Sequence, residues 1–169
     1  ALNDVGVTTV DGDITFGQNS YIQSTTLGDV TIDVSGVDKT LGLSGTPSYV
    51  QAVSGNVSIT IADGDLQLYL TNTITATGDI DVTARGVELS SGASLVCSST
   101  GALTVNATGE FSGGGNSVSL YDGDCYFRTA SGTLTVNSTG AGSVHLNDTS
   151  YVKSTGGAVS VTGNSLTLR

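Results

Sequence analysis

The phrase "GALTVNATG" at Gly101–Gly109 returns almost unchanged as "GTLTVNSTG" at Gly132–Gly140, 31 residues further along the chain. Each copy begins with glycine and then alternates apolar with polar residues. Such alternation is typical of a β-strand with one buried face, and the Gly, Ser, Thr and Asn at its ends indicate tight turns. A phrase repeated in this way indicates a repeat architecture. The remaining sequence can then be searched for further copies at a similar spacing.

Further copies of the pattern run through the whole chain. Each has glycine, a small or polar residue, and then apolar, polar and apolar residues, at a loose spacing of about 24 residues. The copies begin at Gly12, Gly28, Gly55, Gly78, Gly101, Gly132 and Gly157. A second alternating apolar pair follows at Leu41/Leu43, Leu66/Leu68, Val87/Leu89, Val118/Leu120, Val144/Leu146 and Leu166/Leu168. A third element precedes the next glycine as "SYIQS" from Ser20, "SYVQA" from Ser48, "SLVCS" from Ser94, "CYFRT" from Cys125 and "SYVKS" from Ser150.

Three short alternating strands per repeat predict an all-β fold. The arrangement is that of a three-faced parallel β-solenoid with about seven rungs of roughly 24 residues, forming a single domain over residues 1–169. In such a coil the apolar residues point inward and stack on their counterparts about 4.8 Å away in the next rung. An interwound trimeric β-helix and a β-sandwich remain as alternatives.

This layout resembles β-solenoid surface and fibre proteins in general. They include filamentous-haemagglutinin-like adhesins, the shafts of viral fibres and the subunits of extracellular filaments. The resemblance covers the entire chain and indicates an architecture and no single family. It implies a structural role outside the cell or on a cell or virion surface.

The composition argues against nucleic-acid binding and against a membrane span. The chain carries a net charge of −10 and only five lysines and arginines, so no basic surface is expected to bind nucleic acid. No apolar run approaches the length of a membrane span. The sequence begins without methionine, as expected for a processed, exported protein. Cys97 and Cys125 fall at different offsets of successive third strands, which argues against a disulfide between them.

The two ends predict self-assembly. The segment Val5–Gly12 is interpreted as a third-type strand, whereas the last residues supply a first and a second strand. Stacked head to tail, one subunit would then complete a rung of the next and build a homopolymeric filament. A segment of a longer solenoid is the alternative. The residues expected at the contacting ends are Val5, Val7, Val10, Val159, Val161, Leu166 and Leu168.

Catalysis is not expected, because the single histidine, His145, lies at an outward strand position with no nucleophile or carboxylate predicted beside it. The acidic residues cluster at corners, chiefly in three "DGD" tripeptides. Turn formation explains Asp and Gly there, and Ca²⁺ is the alternative because it prefers oxygen ligands. The candidate ligands are Asp11, Asp13, Asp29, Asp63, Asp65, Asp122 and Asp124, and no other cofactor is expected.

An outward aromatic column is predicted along the third strands, from Tyr21, Tyr49, Tyr126 and Tyr151, with Leu95 in the fifth copy. Their neighbours Ile22, Val50, Val96, Phe127 and Val152 are expected to face the core. Stacking between rungs would fix the register. The alternative is a contact strip for a glycan or for a neighbouring filament.

Two further sequence features predict surface functions: the polar columns of the first strands and four glycosylation sequons. The outward residues of the first strands form two columns rich in Thr, Ser and Asn, such as Thr104 and Asn106, a pattern that suggests ice binding as a second function. Four Asn-x-Ser/Thr sequons predict glycosylation if the protein is exported. The asparagines concerned are Asn56, Asn106, Asn137 and Asn147.

Overall fold

The computed structural model describes residues 3–112 and 114–169, and strands, turns and bends make up this part of the chain. Every strand pairs in parallel with its neighbours. The 18 strands are, rung by rung, β1 (Val5–Val10), β2 (Ile14–Phe16), β3 (Tyr21–Ser24); β4 (Val30–Leu43), β5 (Tyr49–Ala52); β6 (Val57–Leu68), β7 (Thr73–Ala76); β8 (Ile80–Ala84), β9 (Gly86–Ser90), β10 (Ser94–Cys97); β11 (Leu103–Ala107), β12 (Asn116–Tyr121), β13 (Tyr126–Thr129); β14 (Leu134–Ser138), β15 (Ser143–Leu146), β16 (Tyr151–Ser154); β17 (Val159–Thr162) and β18 (Leu166–Leu168).

These rungs stack into a three-faced solenoid, as the sequence predicts. The first face contains β1, the start of β4 and β6, and then β8, β11, β14 and β17. The second face contains β2, the end of β4 and β6, and then β9, β12, β15 and β18. These two faces form one 12-stranded sheet because β4 and β6 run through the corner between them. The third face is a six-stranded sheet, and a single chain builds all three faces.

The core consists of stacked columns of aliphatic side chains. On the first face Ile32, Ile59 and Val82 occupy one column, and on the second face Leu43 and Leu68 occupy another. All five are buried. The burial of each such side chain contributes about 1.5–3 kcal/mol to stability. The apolar pairs predicted for the second strands all take these positions, so that part of the prediction is confirmed.

Six of the seven repeated glycines share one structural reason. A Cβ atom on Gly101 would overlap the carbonyl oxygen of Gly78 in the preceding rung, and the same holds for Gly132 over Gly101. The backbones of adjacent rungs therefore approach too closely for any side chain at this corner. Gly12 is the exception, because nothing lies within 4 Å of its Cβ position. The strand that follows it, β2, pairs with Leu41–Leu43 on the second face.

The structure corrects the predicted N-terminus. β1 is a first-face strand, not a third-type strand, because it pairs with β4 from Val5↔Val30 to Val10↔Ser35. The first rung therefore has its own three strands, and the predicted completion of a shared rung by the two ends is wrong. Val10 points outward and is 83% exposed, while Thr9 takes the inward position opposite Val34.

The third face also differs from the prediction in two places. The strand β7 was not predicted, and it lies between β5 and β10. The register of β10 is displaced by one residue, since Leu95 pairs with Phe127 in the core and Val96 pairs with the outward Arg128. Cys97 consequently stands opposite Thr129. Both cysteines are buried, free thiols, and burial raises the pKa of Cys97 to about 12.

Candidate functional site

The corner between the second and third faces holds a groove of about 500 Å³. Thr71 of the third rung forms one wall, and residues 122–124 with Tyr126 of the fifth rung form the other; Ser91 and Gly92 of the fourth rung lie between them. This volume falls in the range of about 300–1,000 Å³ that is usual for small-molecule sites.

A longer corner in the fifth rung forms one wall of the groove. Counted from the paired residues Leu68, Leu89 and Leu120, four residues precede the third-face strand in the third and fourth rungs (69–72 and 90–93), and five precede it in the fifth (121–125). The exposed residues Asp122 and Asp124 lie in this longer corner. Ser91 and Gly92 of the fourth corner donate backbone hydrogen bonds to Tyr121 and Gly123, at 3.3 and 3.0 Å.

Tyr126 forms an aromatic wall of this groove. Its ring stacks on that of Tyr151, with 5.0 Å between centroids and 3° between planes. In the fourth rung, on the side of Tyr126 away from Tyr151, the paired residue is Ser94. Its small side chain leaves the second face of the Tyr126 ring without an aromatic neighbour. The predicted tyrosine column is thus two separate stacks, the other being Tyr21 with Tyr49 at 5.1 Å.

A tyrosine–glutamate cluster adjoins the groove on the second face. The hydroxyl groups of Tyr69 and Tyr121 donate hydrogen bonds of 2.9 and 2.8 Å to the same carboxylate oxygen, Oε1 of Glu88. The two tyrosines stand on the rungs either side of Glu88 and close over Ser90, which is buried. Burial and then the hydrogen bond to Glu88 raise the pKa of Tyr121 to about 12, and the same causes raise the pKa of Tyr69.

The alkaline stability of the protein should reflect this cluster. Because the pKa of Tyr121 lies above the ordinary value of about 10 that it regains on unfolding, its stabilising effect is complete below about pH 10. The effect is lost as the pH rises towards 12. We expect unfolding temperatures of the wild type to fall more steeply over this interval than those of Tyr121→Phe. Parallel curves for the two proteins would contradict the assignment.

A second ionic cluster fills the corner between the first and second faces. Arg85 donates from Nε and Nη2 to the two carboxylate oxygens of Asp65, at 3.3 and 3.1 Å. Its Nη1 contacts Asp38 and lies 3.5 Å from Asp63. Hydrogen bonds to Asp65 and then Asp38 raise the pKa of Arg85 above its ordinary value. A protein guanidinium therefore stands among the carboxylates for which the sequence suggested Ca²⁺.

The other acidic corners serve the backbone. Asp29 Oδ1 accepts a hydrogen bond from the amide of Asn56, whose Oδ1 accepts one from Asp79, and Asp79 continues the ladder to Ala102, each at 2.8 Å. Asp13 accepts the amide of Thr40 in the same way at another corner. Within residues 3–112 and 114–169 no three His, Cys, Asp or Glu side chains converge as metal ligands. Asp11, in the same corner as Asp13, pairs with Lys39 at 3.4 Å.

The first face shows the two polar columns expected from the sequence. Thr104 lies between Asp81 and Thr135, and Asn106 lies between Thr83 and Asn137. Asn137 donates a hydrogen bond of 3.0 Å to Asn106 across the rungs. Ice binding by this face stays a prediction, as does glycosylation at Asn56, Asn106, Asn137 and the half-buried Asn147.

The remaining candidate for chemistry, His145, has polar neighbours but no carboxylate partner in the described part of the chain. Its Nδ1 lies 3.5 Å from Asn116 Nδ2. Its Nε2 is buried without a hydrogen-bond partner among the described residues. The groove, by contrast, unites Asp122, Asp124 and Tyr126, which the sequence had assigned to two unrelated patterns.

No protein-family model, curated protein or solved structure matches the chain. The class therefore follows from the architecture itself, which is that of a parallel β-solenoid repeat protein. Among the described residues no helix has the length and hydropathy needed to cross a membrane.

Proposed function

We propose that the protein is an extracellular structural solenoid, a subunit or segment of a fibre whose coils stack end to end. The observation that carries this proposal is the apolar surface of the last rung. Val159, Leu166 and Leu168 continue the inward columns of the core, and they are 46%, 52% and 65% exposed. Such a surface, bordered by unpaired parallel strands, accepts another rung of the same kind.

The first rung of a second copy suits this surface. Its inward residues Val5 and Val7 are only partly buried, and β1 and β2 follow the same pairing pattern as β17 and β18. In a stack these strands would extend the first and second faces without a break. On the third face β16 and β3 of the next copy would lie two rung spacings apart, about 9.6 Å. Two of the three faces therefore carry the contact.

The charges of the two ends are complementary. Between Asn3 and Ser24 the first rung carries three aspartates, including Asp4, and no lysine or arginine. After Asp148 the chain carries Lys153 and Arg169 and no acidic residue. Opposite charge at the two ends favours head-to-tail contact over head-to-head contact and speeds encounter at low ionic strength. This polarity is expected of a heterologous, open interface.

Electron microscopy and light scattering over a range of protein concentrations test the proposal. We expect uniform fibres one solenoid wide, and Leu168→Asp should abolish or shorten them because it places a charge on the apolar end. Leu70→Asp is the matched control, since Leu70 is also exposed but lies at a corner of the third rung. Lys153→Glu should slow assembly at low salt and have little effect at about 1 M salt.

Two results would contradict end-to-end stacking. One is a monomer at every concentration that folds and melts cooperatively. The other is equal loss of fibres in Leu168→Asp and Leu70→Asp, which would place the contact on the sides of the coil.

A further inference from the structure

We infer that the corner groove beside Tyr126 is a binding site for a neutral oligosaccharide. This inference is independent of fibre formation, because the groove lies in the third to fifth rungs, away from both ends. The assignment depends on two features of the groove: an aromatic ring without an aromatic neighbour on one side, and two carboxylates.

The aromatic face sets the class of ligand. One side of the Tyr126 ring is held by its stack with Tyr151, which fixes the ring upright on the third face. On the other side the paired residue is Ser94, which carries no ring, and Tyr126 itself lines the groove. A rigid, half-exposed tyrosine with one open face offers a flat apolar platform next to water. The C–H face of a pyranose ring has the complementary shape and polarity.

The carboxylates supply hydrogen-bond acceptors for sugar hydroxyl groups. Both aspartates are exposed, and both lie in left-handed backbone conformations, with φ of 58° at Asp122 and 55° at Asp124. Thr149 fixes Asp124 by a hydrogen bond of 2.8 Å to its Oδ1. No described residue donates a hydrogen bond or forms an ion pair with the Asp122 carboxylate, so its acceptors are free for a ligand. Charge-assisted hydrogen bonds of this kind are the stronger ones.

The same features disfavour other ligands. The groove contains no lysine or arginine, so an anionic sugar or a phosphate would be repelled by its two aspartates. An extended peptide would need an open strand edge, but the backbone amides of Ser91 and Gly92 are already paired with the next rung. A divalent cation would need a third ligand side chain, and no such group converges here among the described residues.

Calorimetric titration of the intact protein with oligosaccharides tests the inference. The probes are maltohexaose, cellohexaose and N-acetylchitohexaose, with hexagalacturonate as the anionic comparison and CaCl₂ alone as the cation comparison. We expect at least one neutral hexasaccharide to bind with a Kd below about 1 mM, and hexagalacturonate and calcium not to bind. Tyr126→Ala should weaken that binding by about tenfold, because it removes the stacking platform.

Tyr21→Ala is the matched control. Tyr21 has the same place on the third face and the same kind of stack, with Tyr49, but it lies in the first rung away from the groove. Its variant should lose comparable stability and retain full affinity. The inference fails if no neutral hexasaccharide binds, if only calcium or the anionic sugar binds, or if the two alanine variants lose affinity equally.

Discussion

Gly101→Ala should lower the free energy of unfolding by about 3 kcal/mol, whereas Gly12→Ala should leave it unchanged or raise it by up to about 1 kcal/mol. Both glycines begin the same sequence pattern. A methyl group on Gly101 would overlap the carbonyl of Gly78 and crowd the amide of Asp79, at 2.9 Å. Because these are backbone atoms of a paired ladder, they cannot move aside without displacing a rung.

Gly12→Ala is a suitable control for Gly101→Ala because neither glycine has a left-handed backbone conformation. Conformational strain is therefore excluded, and the two substitutions differ only in the space around the new methyl group. Nothing lies within 4 Å of the Cβ position on Gly12. Urea unfolding followed by circular dichroism gives both values. Equal effects of the two substitutions would contradict the first-face register in which Gly101 lies against Gly78.

This pair of glycines also shows how far the sequence predicts the fold. Alternation of apolar residues and the corner glycines are local features, and they suffice to predict a three-faced coil of seven rungs. The assignment of β2 to the wrong face arose because Gly-Asp-Ile-Thr-Phe satisfies the first-strand pattern letter for letter. Only the pairing of Ile14 with Leu41 distinguishes the two faces, and pairing is a non-local property.

The third face shows a second limit. β7 lacks the tyrosine that begins β3, β5, β13 and β16, and it follows Asn72 where β3, β5 and β16 follow serine, so its pattern is weak. In the structure that asparagine is buried and binds the Leu43 carbonyl and the Ser48 amide, at 2.9 and 2.8 Å. The displaced register of β10 follows from the corner before it, because the chain from Leu89 to Ser94 is one residue shorter than the paired chain from Leu120 to Tyr126. The sequence alone does not show in which corner the length changes.

The candidate groove has the same origin and was therefore not predictable as a site. Its aspartates and its tyrosine were each identified from the sequence, but as parts of a calcium cluster and of an aromatic column. What joins them is the longer corner of the fifth rung and the serine at position 94, which stands beside Tyr126. The sequence thus identified Asp122, Asp124 and Tyr126 as candidate residues, but it did not predict that they line one groove.

Arg85→Ala should destabilise the protein by about 3–5 kcal/mol, the largest effect expected of any single charge removal in this chain. The Asp65 side chain is only 2% exposed, and that of Arg85 is 19% exposed. Two guanidinium hydrogen bonds and the amide of Ser112, at 3.2 Å, satisfy the Asp65 carboxylate. Without Arg85 a buried negative charge remains beside Asp38 and Asp63, with no cation to offset it.

Further variants separate the effect of the Arg85 charge from the effect of its hydrogen-bond geometry. Arg85→Lys keeps the charge but loses the planar fork that binds both oxygens of Asp65, so we expect an intermediate loss. Arg128→Ala is the matched control, because Arg128 is exposed and has no ion pair among the described residues, and its effect should stay within about 0.5 kcal/mol. Arg85→Ala combined with Asp65→Ala should cost less than the sum of the single substitutions.

Strict additivity in that double-mutant cycle would show that the two side chains do not depend on each other. The corner would then be held by the loop around Ser112 alone, and the cation suggested by the acidic sequence would have to be sought outside the protein. A coupling of more than about 1 kcal/mol would instead identify Arg85 as the built-in counterion of this corner.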